Sequence, residues 1–281
     1  MKVSASIVLY NTESHLLSEA IASFAPSAER KLFLVDNSPH KDTRLENLDT
    51  PHVDYIFSGE NRGYGAGHNI AIRRAIEYGS DYHVVLNPDI RFSHDVIDKL
   101  VSFADEHKEI AHLMPKIVNP AGEVQHLCKL IPTPFDLIFK RFLPKALTAR
   151  RAERFQLKFA DYEHIMDVPY LSGCFMFFRV AALKEVGLFD ERFFMYPEDI
   201  DITRRMHERF RTVYYPEVCV IHDHAAESYK SARMLKIHMI NMVKYFNKWG
   251  WFFDAQRKKV NRETLISLGY KKQTAKAKKS R

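Results

Sequence analysis

The run Tyr82-His83-Val84-Val85-Leu86 is apolar and β-branched and leads into Asn87-Pro88-Asp89-Ile90. Such a run reads as a buried strand. Pro88 has no N–H to give to a ladder, so the strand ends there and Asp89 falls on a turn at its carboxyl end. In open α/β sheets that edge is where ligands bind. A carboxylate placed there can hold Mg²⁺ against phosphate oxygens. Asn-Pro-Asp fits a plain turn before a helix equally well, so other residues have to decide.

Asp36 ends a second apolar run, Lys31-Leu32-Phe33-Leu34-Val35. Its carboxylate is suited to a pyrimidine N–H or a ribose hydroxyl, and it is also a good turn residue. The glycine-rich turn Asn61-Arg62-Gly63-Tyr64-Gly65-Ala66-Gly67-His68-Asn69 opens a helix, where close backbone approach and the helix N-terminus favour phosphate. A dinucleotide fingerprint belongs after the first strand, which here ends in Tyr10-Asn11-Thr12 without glycine, and this placement argues against a nicotinamide enzyme. Glu198, Asp199 and Asp201 crowd the start of another helix behind Phe193, Phe194, Tyr196 and Pro197. Acids at that position complement the macrodipole, and the upstream aromatics offer burial that raises a carboxylate pKa towards base catalysis. Arg204 and Arg205 on the same helix are alternative partners for these acids. His222-Asp223-His224 follows the strand Val218–Ile221, and histidines two apart on extended chain share a face, as metal ligands do.

The elements that must position these groups alternate. Strands are expected at 3–10, 31–35, 53–57 and 82–86, and helices at 14–24, 66–78 and, capped by Ser93, to about 106. That alternation indicates a parallel, nucleotide-binding type of sheet. Beyond residue 110, short strands are expected at 110–118 and 123–127 around Asn119-Pro120-Ala121-Gly122. An apolar run at 170–179, a helix at 180–186, a helix from 198 to about 209, strands at 212–215 and 218–221, and a helix from about 228 to 248 follow. The organisation expected is a domain over 1–250, changing in character after residue 110, then a basic C-terminal tail, 251–281.

With 281 residues, 46 % of them hydrophobic, the chain can bury a substantial core. Cys128, Cys174 and Cys219 are odd in number and widely spaced, against a disulfide framework or zinc knuckle and consistent with a reducing cytosol. No apolar run approaches a membrane span of about 20 residues, and Ile7–Tyr10 is too short for a signal peptide. The formal charge is +7, and the segment from Lys271 supplies six bases and no acid. A second basic block, at 140–158, begins with Lys140 and Arg141 beside Phe135, Leu137, Ile138, Phe139, Phe142 and Leu143. This distribution suits peripheral contact with an anionic membrane surface; a solvated tail and a core-packed aromatic block fit it too.

Seven stretches in this order resemble glycosyltransferase family 2 enzymes of the GT-A fold, and most closely the bacterial rhamnosyltransferase-like branch. They are Ser6–Asn11, Leu34–Ser38, Asn61–Asn69, Leu86–Ile90, Ser172–Met176, Phe189–Ile202 and His222. The resemblance implies an α/β fold, a nucleotide-binding mixed sheet flanked by helices with a C-terminal helical extension, in which 1–110 would be the nucleotide-sugar half and 111–250 the acceptor half. It implies an inverting transfer of a sugar, rhamnose from dTDP-rhamnose first and a UDP-sugar second, to a lipid-linked or oligosaccharide acceptor. The reaction would serve bacterial surface polysaccharide such as O-antigen, at the inner face of the cytoplasmic membrane. Asp36, Asn61, Gly63, Gly67, Asn69, Asn87 and Glu198 would bind substrate, and Asp199 would be the base. Asp89 and His222 would hold Mg²⁺ or Mn²⁺. Asn87 replaces the first acid of the usual Asp-x-Asp, a neutral and weaker ligand, so the motif does not fix a strict metal dependence. A nucleotidyltransferase would need a basic glycine-rich loop after strand one, which Tyr10-Asn11-Thr12-Glu13 is not. A non-catalytic glycan- or nucleic-acid-binding protein would have no use for Asp89, Asp199 and His222, and no nucleic-acid partner is expected.

Overall fold

The structure is a computed structural model that describes residues 1–139, 143–223 and 232–270. In chain order its elements begin with β1 (Val3–Leu9), α1 (Ser14–Phe24), β2 (Arg30–Asp36), α2 (Thr43–Glu46), β3 (Val53–Phe57), α3 (Tyr64–Tyr78), β4 (Tyr82–Leu86), β5 (Ile90–Phe92) and α4 (Asp95–Glu106). They continue with β6 (Ile110–Val118), β7 (Cys128–Lys129), α5 (Pro134–Leu137), α6 (Lys145–Phe155), β8 (Met166–Asp167), β9 (Tyr170–Leu171), β10 (Phe175–Arg179) and α7 (Val180–Val186). The last are α8 (Glu198–His207), β11 (Arg211–His222), α9 (Ala232–Trp249) and α10 (Ala255–Ser267).

Among the described residues, nine strands form one mixed sheet in the order β3-β2-β1-β4-β10-β6-β11-β5, with β8 beside β11. β3, β2, β1 and β4 are mutually parallel, whereas β10 runs antiparallel to both β4 and β6. The register aligns Leu9 with Asp36, Ile7 with Leu86, and Leu86 with Phe175. The carboxyl ends of β1, β2 and β4 therefore meet the start of β10 on one edge. His222, at the end of β11, pairs with Ile90 and reaches the same edge. Asp36, Asp89, Gly173 and His222 are far apart in the chain and lie along that one edge.

Alternation sets the two faces. Phe175 and Phe177 of β10 pack into the core beneath β1 and α4, and Met176 and Phe178 face α7 and α8. Towards α3, β1 and β4 present the polar side chains Ser4, Ser6 and His83 beside the apolar Val8 and Val85. Ser4 Oγ and Ser6 Oγ lie 2.8 and 2.9 Å from the two ring nitrogens of His83, and Ser6 Oγ lies 2.7 Å from His68 Nδ1. Burial lowers the pKa of His83 to about 3 and that of His68 well below 6.5, so both stay neutral and pin α3 to the sheet.

Several elements differ from expectation. Ser93 bonds the Asp95 carboxylate at 2.5 Å instead of a helix N–H, so it does not cap α4. Of the strand expected at 123–127, only a bridge between Val118 and Val124 forms. The strands expected at 212–215 and 218–221 are one strand, β11, whose register shifts between Tyr215 and Cys219, where Pro216 interrupts the ladder. The expected start of α9 at 228, the tail from Lys271 and His224 lie outside the described residues. The first part of the expected tail is α10, tied to the body by the buried ion pair of Arg204 with Asp254 (2.9 Å). Among the described residues, no helix is long and apolar enough to cross a membrane.

Candidate active site

Asp89 and His222 face each other at the sheet edge. Asp89 Oδ1 is buried, has no hydrogen bond among the described residues and lies 3.5 Å from His222 Nε2. The Asp223 N–H donates to the Asp89 carbonyl (3.0 Å), fixing the two chain segments side by side. Gln125 orients the imidazole, with Oε1 3.0 Å from Nδ1 and its amide donating to the His222 carbonyl. Burial opposes protonation of His222, but Cys174 and Asp89 beside it outweigh burial and push its pKa up to about 10. Among the described residues no three His, Cys, Asp or Glu side chains make a self-contained metal cage. Asp89 and His222 fit a divalent cation bound together with substrate phosphates, provided the imidazole gives up its proton, the cation then taking the place that this proton holds beside Asp89 Oδ1.

Asp199 lies in the first turn of α8, 8 % exposed. Its Oδ2 accepts from the Gly173 N–H (3.0 Å) and the Tyr170 hydroxyl (3.3 Å), and its Oδ1 from the Ile200 N–H (2.7 Å). Burial pushes Asp199 up to about 6, held back by Lys129 and the donors just named. Glu198 is pushed up further, by burial and by the neighbouring Asp199 charge, and its Oε2 is buried without a hydrogen-bond partner among the described residues. Two adjacent buried carboxyls cannot both ionise readily, so Glu198 keeps the proton and Asp199 carries the charge at neutral pH.

The segment before α8 is held against its own preference. Tyr196 adopts φ 91°, in the left-handed region, which costs a bulky residue about 1–3 kcal/mol. The Asn241 amide donates to the Met195 carbonyl (3.0 Å), and the Tyr196 ring meets His238 edge-on, so α9 supports this conformation. Of the basic residues on α8, Arg205 pairs with Asp201 (2.9 Å) and Arg204 with Asp254, leaving Glu198 and Asp199 to the site.

Tyr64 joins the two halves. Its hydroxyl donates to the Gly173 carbonyl (2.6 Å) and lies 3.2 Å from Asn87 Oδ1. Burial, and then the charges of Cys174, Glu198, Asp199 and Asp89, push its pKa far above 10, so the phenol keeps its proton. Gly173 thus contacts Asp199 through its N–H and Tyr64 through its carbonyl, and a Cβ there would sit 3.2 Å from that of Asp199.

The rest of the glycine-rich turn serves packing. Asn61 Oδ1 accepts from the Gly63 N–H (3.0 Å). Gly67 packs on Val8 and Asn37. The Asn69 amide is taken up by the Phe189 backbone and the Glu191 carboxylate, so the side chain turns away from the sheet edge. Gly63 has φ 87°, and a Cβ on it would lie 2.2 Å from the Phe194 carbonyl oxygen. Gly63→Ala is expected to destabilise the fold by on the order of 3 kcal/mol, read as a lower denaturation midpoint. Gly59→Ala, at φ 75° with open space around it, isolates the conformational part and should cost only about 1–2 kcal/mol. Equal losses in the two variants would remove the packing role.

Asp36 ends β2 on the same edge, with its Oδ1 accepting from the Ser38 N–H (2.9 Å) and its Oδ2 from the Tyr55 hydroxyl (2.6 Å). It stands apart from the Tyr64 cluster, on the far side of β1. Tyr64, Tyr170, Gly173 and Gln125 were not singled out from the sequence. Only Tyr64, inside the glycine-rich turn, and Gly173, inside the Ser172–Met176 stretch, carried any signal.

A sheet of this order, with carboxylates, an imidazole and a glycine-rich helix start on one edge, defines the GT-A class of nucleotide-sugar transferase folds. A family model described as glycosyltransferase like family 2 matches residues 7–242, and the chain belongs to that family. Over 239 residues it is 30 % identical to N-acetylglucosaminyl-diphospho-decaprenol L-rhamnosyltransferase of Mycobacterium tuberculosis, covering 79 % of this chain and 75 % of that one. It is 28 % identical to rhamnosyltransferase WbbL of Escherichia coli, covering 68 % of this chain and 72 % of that one. Among solved structures it is similar to GalNAc-T7 with UDP, GalNAc and Mn²⁺, with TM-score 0.63, 15 % identity and 92 % of this chain covered. The chain spans 49 % of that structure, and the likeness shows the fold.

Proposed function

We propose that this glycosyltransferase moves rhamnose, with inversion, from dTDP-rhamnose to a hydroxyl of a lipid-linked bacterial surface glycan. The observation that carries the reading is the placement of an ionised, buried Asp199 across Tyr64 and Gly173 from the Asp89–His222 pair. An in-line displacement needs a base on one face of the anomeric carbon and charge neutralisation behind the leaving group on the other. The two named rhamnosyltransferases favour rhamnose, and the decaprenol-linked name of the first favours a lipid carrier.

In this reading Asp36 accepts the pyrimidine N3–H at the edge of β2. Asp199 takes the proton of the acceptor hydroxyl as its oxygen attacks the anomeric carbon and the bond to the diphosphate breaks. Glu198, kept protonated, donates to a sugar hydroxyl. Asp89 and His222 would hold a divalent cation, which when bound supplies Lewis-acid neutralisation of the diphosphate. Tyr64 and Gly173 keep base and leaving-group site in register. The acceptor makes its contacts within residues 125–170, and work takes place peripherally at the cytoplasmic face of a membrane.

Calorimetric titration with dTDP and UDP, with and without Mn²⁺, tests the donor half. Micromolar binding tightened by Mn²⁺ is expected, with dTDP at least as tight as UDP. Tighter UDP would replace the donor, and no binding of either nucleotide would overturn the reading.

A further inference from the structure

The turn between α9 and α10, Gly250-Trp251-Phe252-Phe253, is held rigidly and yet projects two phenylalanines into solvent. Gly250 adopts φ 95°, and a Cβ there would meet the Phe253 carbonyl oxygen at 2.8 Å. The buried Arg257 guanidinium donates to the carbonyls of Gly250 (3.3 Å) and Trp251 (3.0 Å) from beneath, and to Pro132. Asp254 caps α10 through the Arg257 N–H (2.8 Å). On this pinned turn Phe252 is 65 % and Phe253 92 % exposed. Single exposed apolar residues are ordinary; two adjacent phenylalanines on a turn with its own buried scaffold are not.

The apolar surface continues along α9. Ile240 (46 % exposed) and Val243 (39 %) lie on its outer stripe with Lys236 and Asn247, and the Trp251 indole N–H donates to Asn247 Oδ1 (2.8 Å). Beside that stripe is a concavity of about 330 Å³ lined by Arg192, Phe193, Lys244, Asn247 and Lys248. Charge identifies the occupant. From 232 to 262 the only acid is Asp254, and it is buried against Arg204. Lys236 and Lys244 on α9 and Lys258, Lys259 and Arg262 on α10, the two helices that the turn joins, stay exposed. Two copies of the chain meeting here would bring these cations together. An anionic bilayer would take the phenylalanines among its acyl chains and the lysines at its phosphates.

We infer that the α9–α10 turn, through Phe252 and Phe253, is a membrane-docking element that inserts into the interface of an anionic bilayer. It rests on the lipid-linked acceptor reading only for its purpose, since its geometry does not depend on which sugar is moved. It also links the bilayer to the chemistry, because α9 supports Met195 and Tyr196, just ahead of Glu198 and Asp199.

The test uses the full chain with vesicles of phosphatidylglycerol and phosphatidylcholine, and with phosphatidylcholine alone. Trp249 and Trp251 are the chain's two tryptophans, so a blue shift of emission reports this turn directly. Binding to the anionic vesicles with a blue shift is expected. Phe252→Ser/Phe253→Ser should lower partitioning roughly tenfold or more, and Lys258→Gln/Lys259→Gln should weaken it in a salt-sensitive way. Calorimetric binding of dTDP or UDP should be unchanged in both, showing an intact fold. Vesicle binding with unchanged emission and unchanged affinity in the phenylalanine variant would overturn the inference. So would a dimer in sedimentation that the same variant dissolves. Vesicle binding without sugar transfer would instead count against the catalytic reading and leave the docking element standing.

Discussion

Asp199→Asn is expected to lower sugar transfer roughly a thousandfold, the range lost with a general base, while nucleotide affinity changes less than about threefold. The two halves separate because Asp199 touches Gly173 and Tyr170, whereas the Asp89–His222 pair is built on β4, β5 and β11. Asn preserves the shape and can still accept from the Gly173 N–H, so a folding defect is not the cause of the loss. The wild-type pH profile carries the same assignment. Burial raises Asp199 to about 6, and the ionised form is the active one, so kcat/KM should rise with pH through about 6 and then level. Glu198→Gln imitates the protonated neighbour and should keep that limb near its place. Full activity in Asp199→Asn would sink the base assignment, and a limb that moves by more than about one unit in Glu198→Gln would make Glu198 the titrating group.

How much of this was legible beforehand follows from what each residue reports locally. β1, β2 and β4 are runs of apolar, β-branched residues closed by Asn, Asp or Pro, and such punctuation is a local property. The segments carrying Asp36, Asp89, Asp199 and His222 were identifiable for the same reason, each ending a strand or opening a helix. The partners were not. Tyr64 looks like a helix residue among glycines until the fold brings Asn87 and Gly173 against its hydroxyl from 23 and 109 residues away. Gln125 sits in a stretch that looks like a strand, and its role depends on β11 returning beside it. The glycines of the turn suggest phosphate because glycine permits any close approach; here Gly63 and Gly67 approach Phe194 and Val8. α10 escaped because it buries Arg257, Thr264 and Leu265 instead of a continuous apolar stripe. Its anchors are an ion pair and carbonyl contacts, which leave no periodic trace.

Asp89→Ala should abolish the tightening of nucleotide binding by Mn²⁺, a loss of about 10–100-fold measured with the ion present, and leave metal-free binding nearly unchanged. Asp89 Oδ1 is buried and without a hydrogen bond among the described residues, so Asp89→Ala deletes the carboxylate that faces His222. His222 keeps its Gln125 contact and remains oriented, and one imidazole is a poor holder for an oxygen-seeking ion. The neutral Asn87 makes the reverse experiment informative. Asn87→Asp retains an oxygen for the Tyr64 hydroxyl, at 3.2 Å in the parent, and supplies a second carboxylate. Mn²⁺ should then tighten nucleotide binding more than in the parent chain. If Asp89→Ala left the Mn²⁺ effect intact, the cation would have to sit elsewhere. An Asn87→Asp variant with no gain would show that the Asn87 side chain serves Tyr64 alone, making the phenol, and not the ion, what that position is built to hold.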